Sequence, residues 1–324
     1  MGPHVPPPDL AVLAEVIRSD FVESVHYGSA VGLDPSGRAE VTLGRPESPV
    51  LPRSSGKPFQ ALACLEAGAP LAGPRLAIAA GSHTGEDFHV RLVRDLLAEH
   101  GLDAGALRCP PSWPEDRPTM ERLIREGSGE SRERMNCSGK HAAMLAAAAV
   151  SAWPVDSYLS PDHPLQRRVR AVTEDLAGEQ ATHVAVDGCG APLFGLSLTG
   201  LARAVRSLVL AAPGSAPRLV ADAMREHPEY VGGTGHQNTD LMRALPGSVV
   251  KGGAEGVLVA ALASGHAAAV KVIDGSPRAT TAIALAVLRR MGCDVSGAEA
   301  FEQVPVLGGG APVGRIVVGG SLTA

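Results

Sequence analysis

Segments with strand patterns lie at both ends of this chain, and segments with helix patterns fill its middle. Near the start, two β-branched stretches flank the turn sequence Asp-Pro-Ser-Gly, which predicts a β-hairpin over 22–33 and 38–43. Later strand patterns occur at 248–251, 256–262, 267–273 and 315–319. Strands from the two ends can share one antiparallel sheet, so we predict an α+β fold rather than alternating βαβ units.

The middle of the chain carries apolar residues at helical spacing, with glycine or proline near the segment ends. In this middle part we predict helices over 84–100, 119–126, 138–150, 164–177, 196–211 and 216–226, and a short strand over 183–187. Two further helices are predicted outside it, over 11–18 and 278–291. A further helix should open at Ser54. The chain should form one unit, with a sheet part from 1–53 and 228–324 and a mainly helical part from 54–227. Residues 1–10, which are rich in proline, look like a loosely held tail.

Composition excludes several classes of protein. The chain has 324 residues, a hydrophobic share of 45% and a charged share of 19%, as expected for a globular protein with a sizeable core. A net charge of −5 without any basic run argues against a nucleic-acid partner. The five cysteines are widely spaced and odd in number, which favours a reducing compartment. Since no signal-peptide layout or membrane-length apolar run occurs, we expect a cytoplasmic enzyme or binding protein.

The stretch Ser54-Ser55-Gly56-Lys57 can hold a nucleophile and its base, because residues i and i+3 share one helical face. A serine hydroxyl attacks only if a neighbour takes its proton, and a lysine can do so when its pKa is lowered. The alternative is that Ser54 only caps a helix. Lysine scarcity favours chemistry: of 29 basic residues only four are lysines, at 57, 140, 251 and 271. Arginine cannot give up its proton, although the base composition of the gene could also deplete lysine.

Five other stretches could contribute to a site. Ser82 lies in a glycine- and hydroxyl-rich loop before a helix that Thr84 is expected to cap, and Lys251 ends a predicted strand before two glycines. Cys137 and Cys189 lie in turns with polar neighbours, where two thiolates and a nitrogen would suit zinc. The segment 232–236 could cradle an anion through its backbone N–H groups, or form a loop beside the site. Each also has a structural alternative: a cap, a turn, or a buried thiol.

Together the motifs resemble the L-asparaginase II family of the rhizobial, inducible type. Six collinear motifs between about residue 23 and the C-terminus carry the resemblance: Arg53-Ser54-x-x-Lys57-Pro58-x-Gln60, Ser82-His83-x-Gly85-Glu86, Asn136-Cys137-Ser138-Gly139-Lys140-His141, Asp187-Gly188-Cys189-Gly190-Ala191-Pro192, Pro228-Glu229-Tyr230-Val231-Gly232-Gly233 and Lys251-x-Gly253-Ala254-Glu255-Gly256-Val257. The resemblance implies a fold similar to serine β-lactamases and glutaminases, with an antiparallel sheet flanked by a helical subdomain. It also implies a homodimer that hydrolyses L-asparagine to L-aspartate and ammonia.

The resemblance assigns roles to the motif residues. Ser54 would be the nucleophile and Lys57 its base, while Ser82 and a second lysine, Lys251 rather than Lys271, would return a proton to ammonia. Like-charge repulsion from Lys251 would keep Lys57 neutral. The candidates for substrate binding are Arg53, His83, Asn136, Asp187, Gly188 and Gly253. A zinc ion that tunes substrate affinity would be held by Cys137, Lys140 and Cys189, with Asp187 and His141 behind them.

Three rival functions stay open. A penicillin-recognising enzyme would need S-x-N or Y-x-N and K-[ST]-G, which the chain lacks. A non-catalytic amino-acid-binding protein would not need the four Ser and Lys positions. A glutaminase, or an amidase for a larger β-aspartyl amide, would differ in pocket size, which no residue reports.

Overall fold

The main sheet combines strands from both ends of the chain, as predicted. A computed structural model describes residues 9–322, so most of the predicted tail lies outside the described residues. The strand order is β10-β11-β1-β2-β9-β8-β7, all pairs are antiparallel, and β3 pairs with β2. The strands are β1 (Ala11–Arg18), β2 (Phe21–Leu33), β3 (Ala39–Leu43), β7 (Val249–Gly253), β8 (Val257–Ala261), β9 (Ala267–Val272), β10 (Val304–Gly308) and β11 (Ala311–Val318).

The long strand β2 joins the two ends of the sheet. Its first half pairs with β1, and its second half pairs with both β3 and β9. The turn between β2 and β3 is fixed by Asp34, whose carboxylate accepts from the backbone N–H groups of Ser36 and Arg38 at 2.8 and 2.9 Å. The hairpin predicted from the Asp-Pro-Ser-Gly sequence is therefore confirmed.

The helix predicted over 11–18 is wrong, because these residues form β1. The segment lies between β2 and β11 and hydrogen-bonds to both. Its mixed apolar pattern fits either period, and the pairing with β11, about 300 residues away, decides in favour of a strand. The sequence analysis also missed β10 and the strand β6 (Pro192–Ser197), which joins β4 (Pro49–Val50) to β5 (His183–Val186) in a small second sheet.

Most of the predicted helices are present within a few residues. They are α1 (Lys57–Glu66), α3 (Asp87–Ala98), α4 (Arg117–Arg125), α5 (Ser138–Val150), α6 (Pro164–Ala177), α7 (Leu198–Leu210), α8 (Ala216–Glu226) and α11 (Thr280–Arg290). Three short helices were not predicted: α2 (Pro74–Ala79), α9 (Pro228–Val231) and α10 (Gln237–Ala244). Their weak periodicity over four to eight residues gives little signal.

Helices cover the central strands. Both α7 and α11 pack on β2, β8 and β9. Successive residues Ala267–Val270 of β9 are all buried, so both faces of this strand are covered. The small side chains at 267–269 let the helices come close in a chain with only 3% aromatic residues. The predicted α+β class is confirmed. None of the helices within 9–322 is long and apolar enough to cross a bilayer.

Candidate functional site

Two buried lysines from different parts of the chain share one serine hydroxyl. Lys57, at the start of α1, donates from Nζ to Ser82 Oγ at 2.8 Å and to the carbonyl oxygens of Gly81 at 2.6 Å and Asn136 at 3.3 Å. Lys251 on β7 donates to the same Ser82 Oγ at 2.9 Å. Both lysine side chains are about 1% exposed or less. The structure therefore brings together three of the four predicted catalytic residues.

Ser54 lies beside this group without being bonded to it. It belongs to the 3₁₀ helix Arg53–Gly56 that precedes α1, and it is partly exposed. Within residues 9–322, its hydroxyl has no hydrogen-bond partner, although its backbone oxygen accepts from the N–H of Lys57. The neighbouring Ser55 is fully buried and donates to the backbone oxygen of Lys251 at 3.0 Å. Ser55 thus holds β7 against the 3₁₀ helix, and Ser54 remains free to meet a ligand.

Burial and charge act strongly on Lys251 in the lysine pair. Burial, and then the positive charge of Lys57, hold the pKa of Lys251 well below its ordinary value. The sequence analysis expected repulsion within this pair but assigned the neutral amine to Lys57. In the structure Lys251 is the lysine whose lowered pKa suits a proton acceptor.

Gly253 allows β7 to lie directly on the 3₁₀ helix. A Cβ atom at this position would be 2.7 Å from the backbone oxygen of Pro52 and 3.0 Å from Ser55 Oγ. Only a residue without a side chain fits this approach. Gly253, predicted to bind substrate, therefore places Lys251 near Lys57 through the packing of its strand.

Arg53 is held in a strained conformation next to Ser54. Its φ of 51° lies in the left-handed region, which arginine rarely adopts. Its guanidinium donates from Nε to Asp187 Oδ1 at 2.8 Å, and the N–H of Gly188 donates to the same oxygen at 2.9 Å. Although burial opposes ionisation, Lys140 and Arg53 keep the pKa of Asp187 below its usual range. Backbone strain of this kind is typical of functional sites. The two hydrogen bonds to Asp187 Oδ1 join three predicted substrate-binding residues, Arg53, Asp187 and Gly188.

His83 is buried and both of its ring nitrogens are occupied. Nδ1 accepts from the N–H of Gly85 at 3.2 Å, so Nε2 carries the proton and donates to Ser138 Oγ at 2.9 Å. The ring orients the loop that carries Ser82 and has no free nitrogen for a substrate. Thr84 was predicted to be the N-cap of α3, and this prediction is wrong. Glu86 takes this position, and its carboxylate also accepts from the Thr84 hydroxyl at 2.9 Å.

The three predicted zinc ligands lie in one buried cluster. Lys140 Nζ donates to Cys189 Sγ at 3.0 Å. A hydrogen bond from Cys189 is the main reason why the pKa of Cys137 lies well below its ordinary value, and the same bond raises the pKa of Cys189. Cys137 is therefore the thiol of this pair that ionises first, and the thiolate is the form that binds a metal.

This donor set fits zinc, with one requirement. Burial disfavours the ammonium of Lys140, but the two cysteines outweigh it and raise its pKa. Lys140 must therefore lose a proton before it can bind a metal. No group of three or more His, Cys, Asp and Glu side chains within 9–322 is arranged to hold a metal ion. The predicted zinc ligands are two cysteines and a lysine, so they do not form a group of three His, Cys, Asp or Glu side chains.

The sequence analysis missed two residues at the edge of the site. His236 caps α10 by accepting from the N–H of Asn238 at 3.1 Å, and its pKa is lowered to about 4 by burial and by Lys251 and Lys57. The segment 232–236 had been interpreted as a possible anion cradle or as a loop beside the site, and His236 had been given no role of its own. Glu115 accepts from the Asn136 side chain at 2.7 Å. Nothing in the residues around Glu115 indicated that it lies near this group.

Comparisons with known proteins were made for the sequence and for the fold. The family model described as L-asparaginase II matches residues 14–318. No curated protein shows a significant sequence match. A crystal structure of Mglu in its native form, in the presence of 4.3 M NaCl, is 14% identical with a TM-score of 0.44, and the match covers 83% of this chain and 62% of the Mglu chain.

Two further solved structures are similar at a comparable level. A β-lactamase from Mycobacterium bovis is 19% identical with a TM-score of 0.42, and the match covers 81% of this chain and 94% of the β-lactamase. A mutant of simvastatin synthase (LovD) from Aspergillus terreus is 12% identical with a TM-score of 0.35, covering 76% and 84% of the two chains.

Proposed function

The chain belongs to the L-asparaginase II family, and we propose that it hydrolyses L-asparagine to L-aspartate and ammonia through an acyl-enzyme on Ser54. The family match makes it an asparaginase-type amidohydrolase. The observation that supports the finer proposal is the Ser82 hydroxyl between Lys57 and Lys251. Amide hydrolysis needs a base for the nucleophile and an acid for the leaving amine, and this row of groups can move one proton in either direction.

The proton relay begins with a shift of charge between the lysines. Lys57 passes a proton to Ser82 Oγ while Ser82 passes its own proton to Lys251, whose lowered pKa makes it the better acceptor. The positive charge then resides on Lys251, and Lys57 has a free lone pair. Ser54, at position i−3, can approach that lone pair when the substrate is bound. The Ser54 oxygen attacks the side-chain amide carbon as its proton goes to Lys57.

Collapse of the tetrahedral intermediate reverses the proton flow. The proton on Lys57 protonates the departing nitrogen, and ammonia leaves an ester on Ser54. A water molecule then attacks the ester and gives one proton to the same lysine. Lys57 passes that proton to the Ser54 oxygen as the bond to the acyl carbon breaks, which releases Ser54 and a carboxylic acid product. The backbone N–H of Ser54, near the start of a helical segment, is suited to bind the oxyanion because it has no partner within that segment.

The thiol cluster would hold zinc next to this relay. Cys137, Cys189 and Lys140 would be the ligands, and the bound ion would add a positive charge close to Asp187. We propose that this charge tunes substrate affinity. The homodimer and the cytoplasmic location stay predictions.

The test measures ammonia release from L-asparagine and L-glutamine, with and without a zinc chelator. We expect release from asparagine, and loss of activity in Ser54→Ala and Lys57→Met without a loss of folded structure by circular dichroism. Lys271→Met is the matched control, since Lys271 Nζ contacts the backbone oxygen of Glu255 and not Ser82. Full turnover by either of the first two variants would refute the mechanism.

The same assay separates the rival functions. Release from glutamine alone would identify a glutaminase, and hydrolysis of a coloured cephalosporin would identify a penicillin-recognising enzyme. Binding of asparagine without ammonia release would identify a binding protein.

A further inference from the structure

An amino-acid amide brings a positive charge into the site. The α-ammonium group of the substrate must be met by an anion when it leaves water, because an unpaired charge is costly in a site of low dielectric. The proton relay consists of two lysines and a serine, so it cannot supply that anion. A nearby carboxylate with a free oxygen is therefore required.

Most acids around the site are already occupied. Asp187 Oδ1 accepts from Arg53 and from the backbone of Gly188, and its Oδ2 lies 3.7 Å from Cys189 Sγ. Both oxygens of Glu86 accept from Thr234, at 2.9 and 2.7 Å. Glu255 Oε1 lies 3.7 Å from Nη1 of the same Arg53 guanidinium. Asp187 and Glu255 are thus already paired with Arg53, and both oxygens of Glu86 are already hydrogen-bonded.

Glu115 differs from these acids because, in the part of the chain that the structure describes, it is not paired with a cation and one of its carboxylate oxygens is accessible. Its Oε1 accepts from Asn136 Nδ2 at 2.7 Å, and within residues 9–322 it has no ion pair with any Arg, Lys or His side chain. Its side chain is exposed, so a ligand can reach Oε2. Its charge also reaches Lys251 in the proton relay. Burial and Lys57 lower the pKa of Lys251, and Glu115 raises it by a smaller amount.

One backbone contact and one side-chain contact fix Glu115 next to the site. The N–H of the following residue, Asp116, donates to the backbone oxygen of Thr84 at 3.0 Å, two residues after Ser82. Asn136, which bonds the Glu115 carboxylate through its side chain, accepts from Lys57 Nζ through its backbone oxygen. Glu115 is thus linked to the loop of Ser82 through the backbone of Asp116, and to Lys57 through Asn136.

We infer that Glu115 is a specificity-determining residue whose carboxylate binds the α-ammonium group of the substrate, with Asn136 positioning it. The inference rests on the proposed function, because it takes an α-amino acid as the substrate. It makes the ammonium group, rather than the amide, the feature by which this chain selects asparagine among small amides.

Glu115→Gln is the sharpest perturbation. The glutamine keeps an oxygen that can accept from Asn136 and removes only the charge. Glu121→Gln is the matched control, because Glu121 is paired with Arg117 on the outer surface of α4. Each variant is assayed with L-asparagine and with succinamic acid, which has the same amide and acid groups but no α-amino group.

We expect Glu115→Gln to lower kcat/KM for asparagine by about 10- to 100-fold, mainly through KM, as a lost charge-assisted hydrogen bond predicts. The value for succinamic acid should change far less, because Glu115 is only a minor contribution to the pKa of Lys251, and Glu121→Gln should behave as the parent. Retention of the preference for asparagine in Glu115→Gln would overturn the inference. An equal loss with both substrates would also overturn it, since that would indicate a purely structural role.

Equilibrium binding decides the inference independently of turnover. Calorimetric titration with L-aspartate and with succinate compares the same ligand with and without the ammonium group. The parent should bind L-aspartate more tightly, and Glu115→Gln should lose that difference. If the parent releases no ammonia from asparagine yet shows this binding difference, the proposed function fails and the role of Glu115 stands. If the parent does not distinguish the two ligands, the inference fails.

Discussion

Lys251→Met should remove a pH-dependent term from the stability of the fold. The Nζ atoms of Lys251 and Lys57 both lie within 3 Å of Ser82 Oγ, so they are less than about 6 Å apart. Two ammonium groups at about 5.5 Å repel by roughly 3 kcal/mol at an effective dielectric constant of about 20. Burial and this repulsion lower the pKa of Lys251, so above that lowered pKa the folded protein holds its amine neutral. Methionine has a similar length and no charge.

The sign and size of the effect follow from proton linkage. An unfolded lysine titrates near about pH 10.4. Between the lowered pKa of the folded state and that value, the unfolded chain binds one more proton than the folded chain. The free energy of unfolding of the parent therefore rises with pH by about 1.4 kcal/mol per pH unit from this group. The variant lacks this contribution, so it gains stability relative to the parent as the pH falls through that window.

Urea unfolding of both proteins between about pH 7.5 and 9 measures the difference directly. The two free energies of unfolding should diverge by about 1.4 kcal/mol for each pH unit. Ser82→Ala is the control, because it removes the shared hydroxyl, keeps both lysines and should retain the slope of the parent. Parallel pH profiles for the parent and Lys251→Met would show that Lys251 is charged in the folded protein, which would refute the proposed relay.

Three further perturbations test other parts of the site. Gly253→Ala should lower kcat by roughly 100-fold, since its Cβ would push the 3₁₀ helix away at the backbone oxygen of Pro52; steady-state kinetics check this. Tyr158→Phe should lower the free energy of unfolding by about 1–3 kcal/mol in urea titrations, because the buried hydroxyl is the partner of His141 Nδ1 at 2.6 Å. Cys189→Ser should reduce the zinc bound per chain in metal analysis, and should raise KM more than it lowers kcat.

The elements that the sequence predicted well are those whose signal is local. The patterns for α5 and α6 gave their bounds to the residue, because periodicity and flanking residues are contained in the helix itself. β1 was misassigned because its strand character depends on β11 at the other end of the chain. The sheet could therefore be predicted as a class but not strand by strand.

The same distinction between local and distant signals applies to the site. Ser54 and Lys57 were found from a spacing of three residues, yet the structure bonds Lys57 to Ser82 instead, 25 residues away. Lys251 reaches the same hydroxyl across 169 residues, a contact that no spacing rule could give. Only the resemblance to a family had placed these residues in one site, and it could not tell which lysine would have the lowered pKa.

The scarcity of lysine was the one compositional signal that anticipated this arrangement. Lys57, Lys140 and Lys251 are each about 1% exposed or less, and each donates to a serine or cysteine side chain. Arginine in such positions would stay charged in the folded protein and could neither pass a proton nor bind a metal. Lys271 is the exception, since it is only partly buried and contacts a backbone oxygen. In a chain that uses arginine for its surface charge, the buried Lys251 with its lowered pKa is therefore the lysine that the proposed relay needs as a proton acceptor.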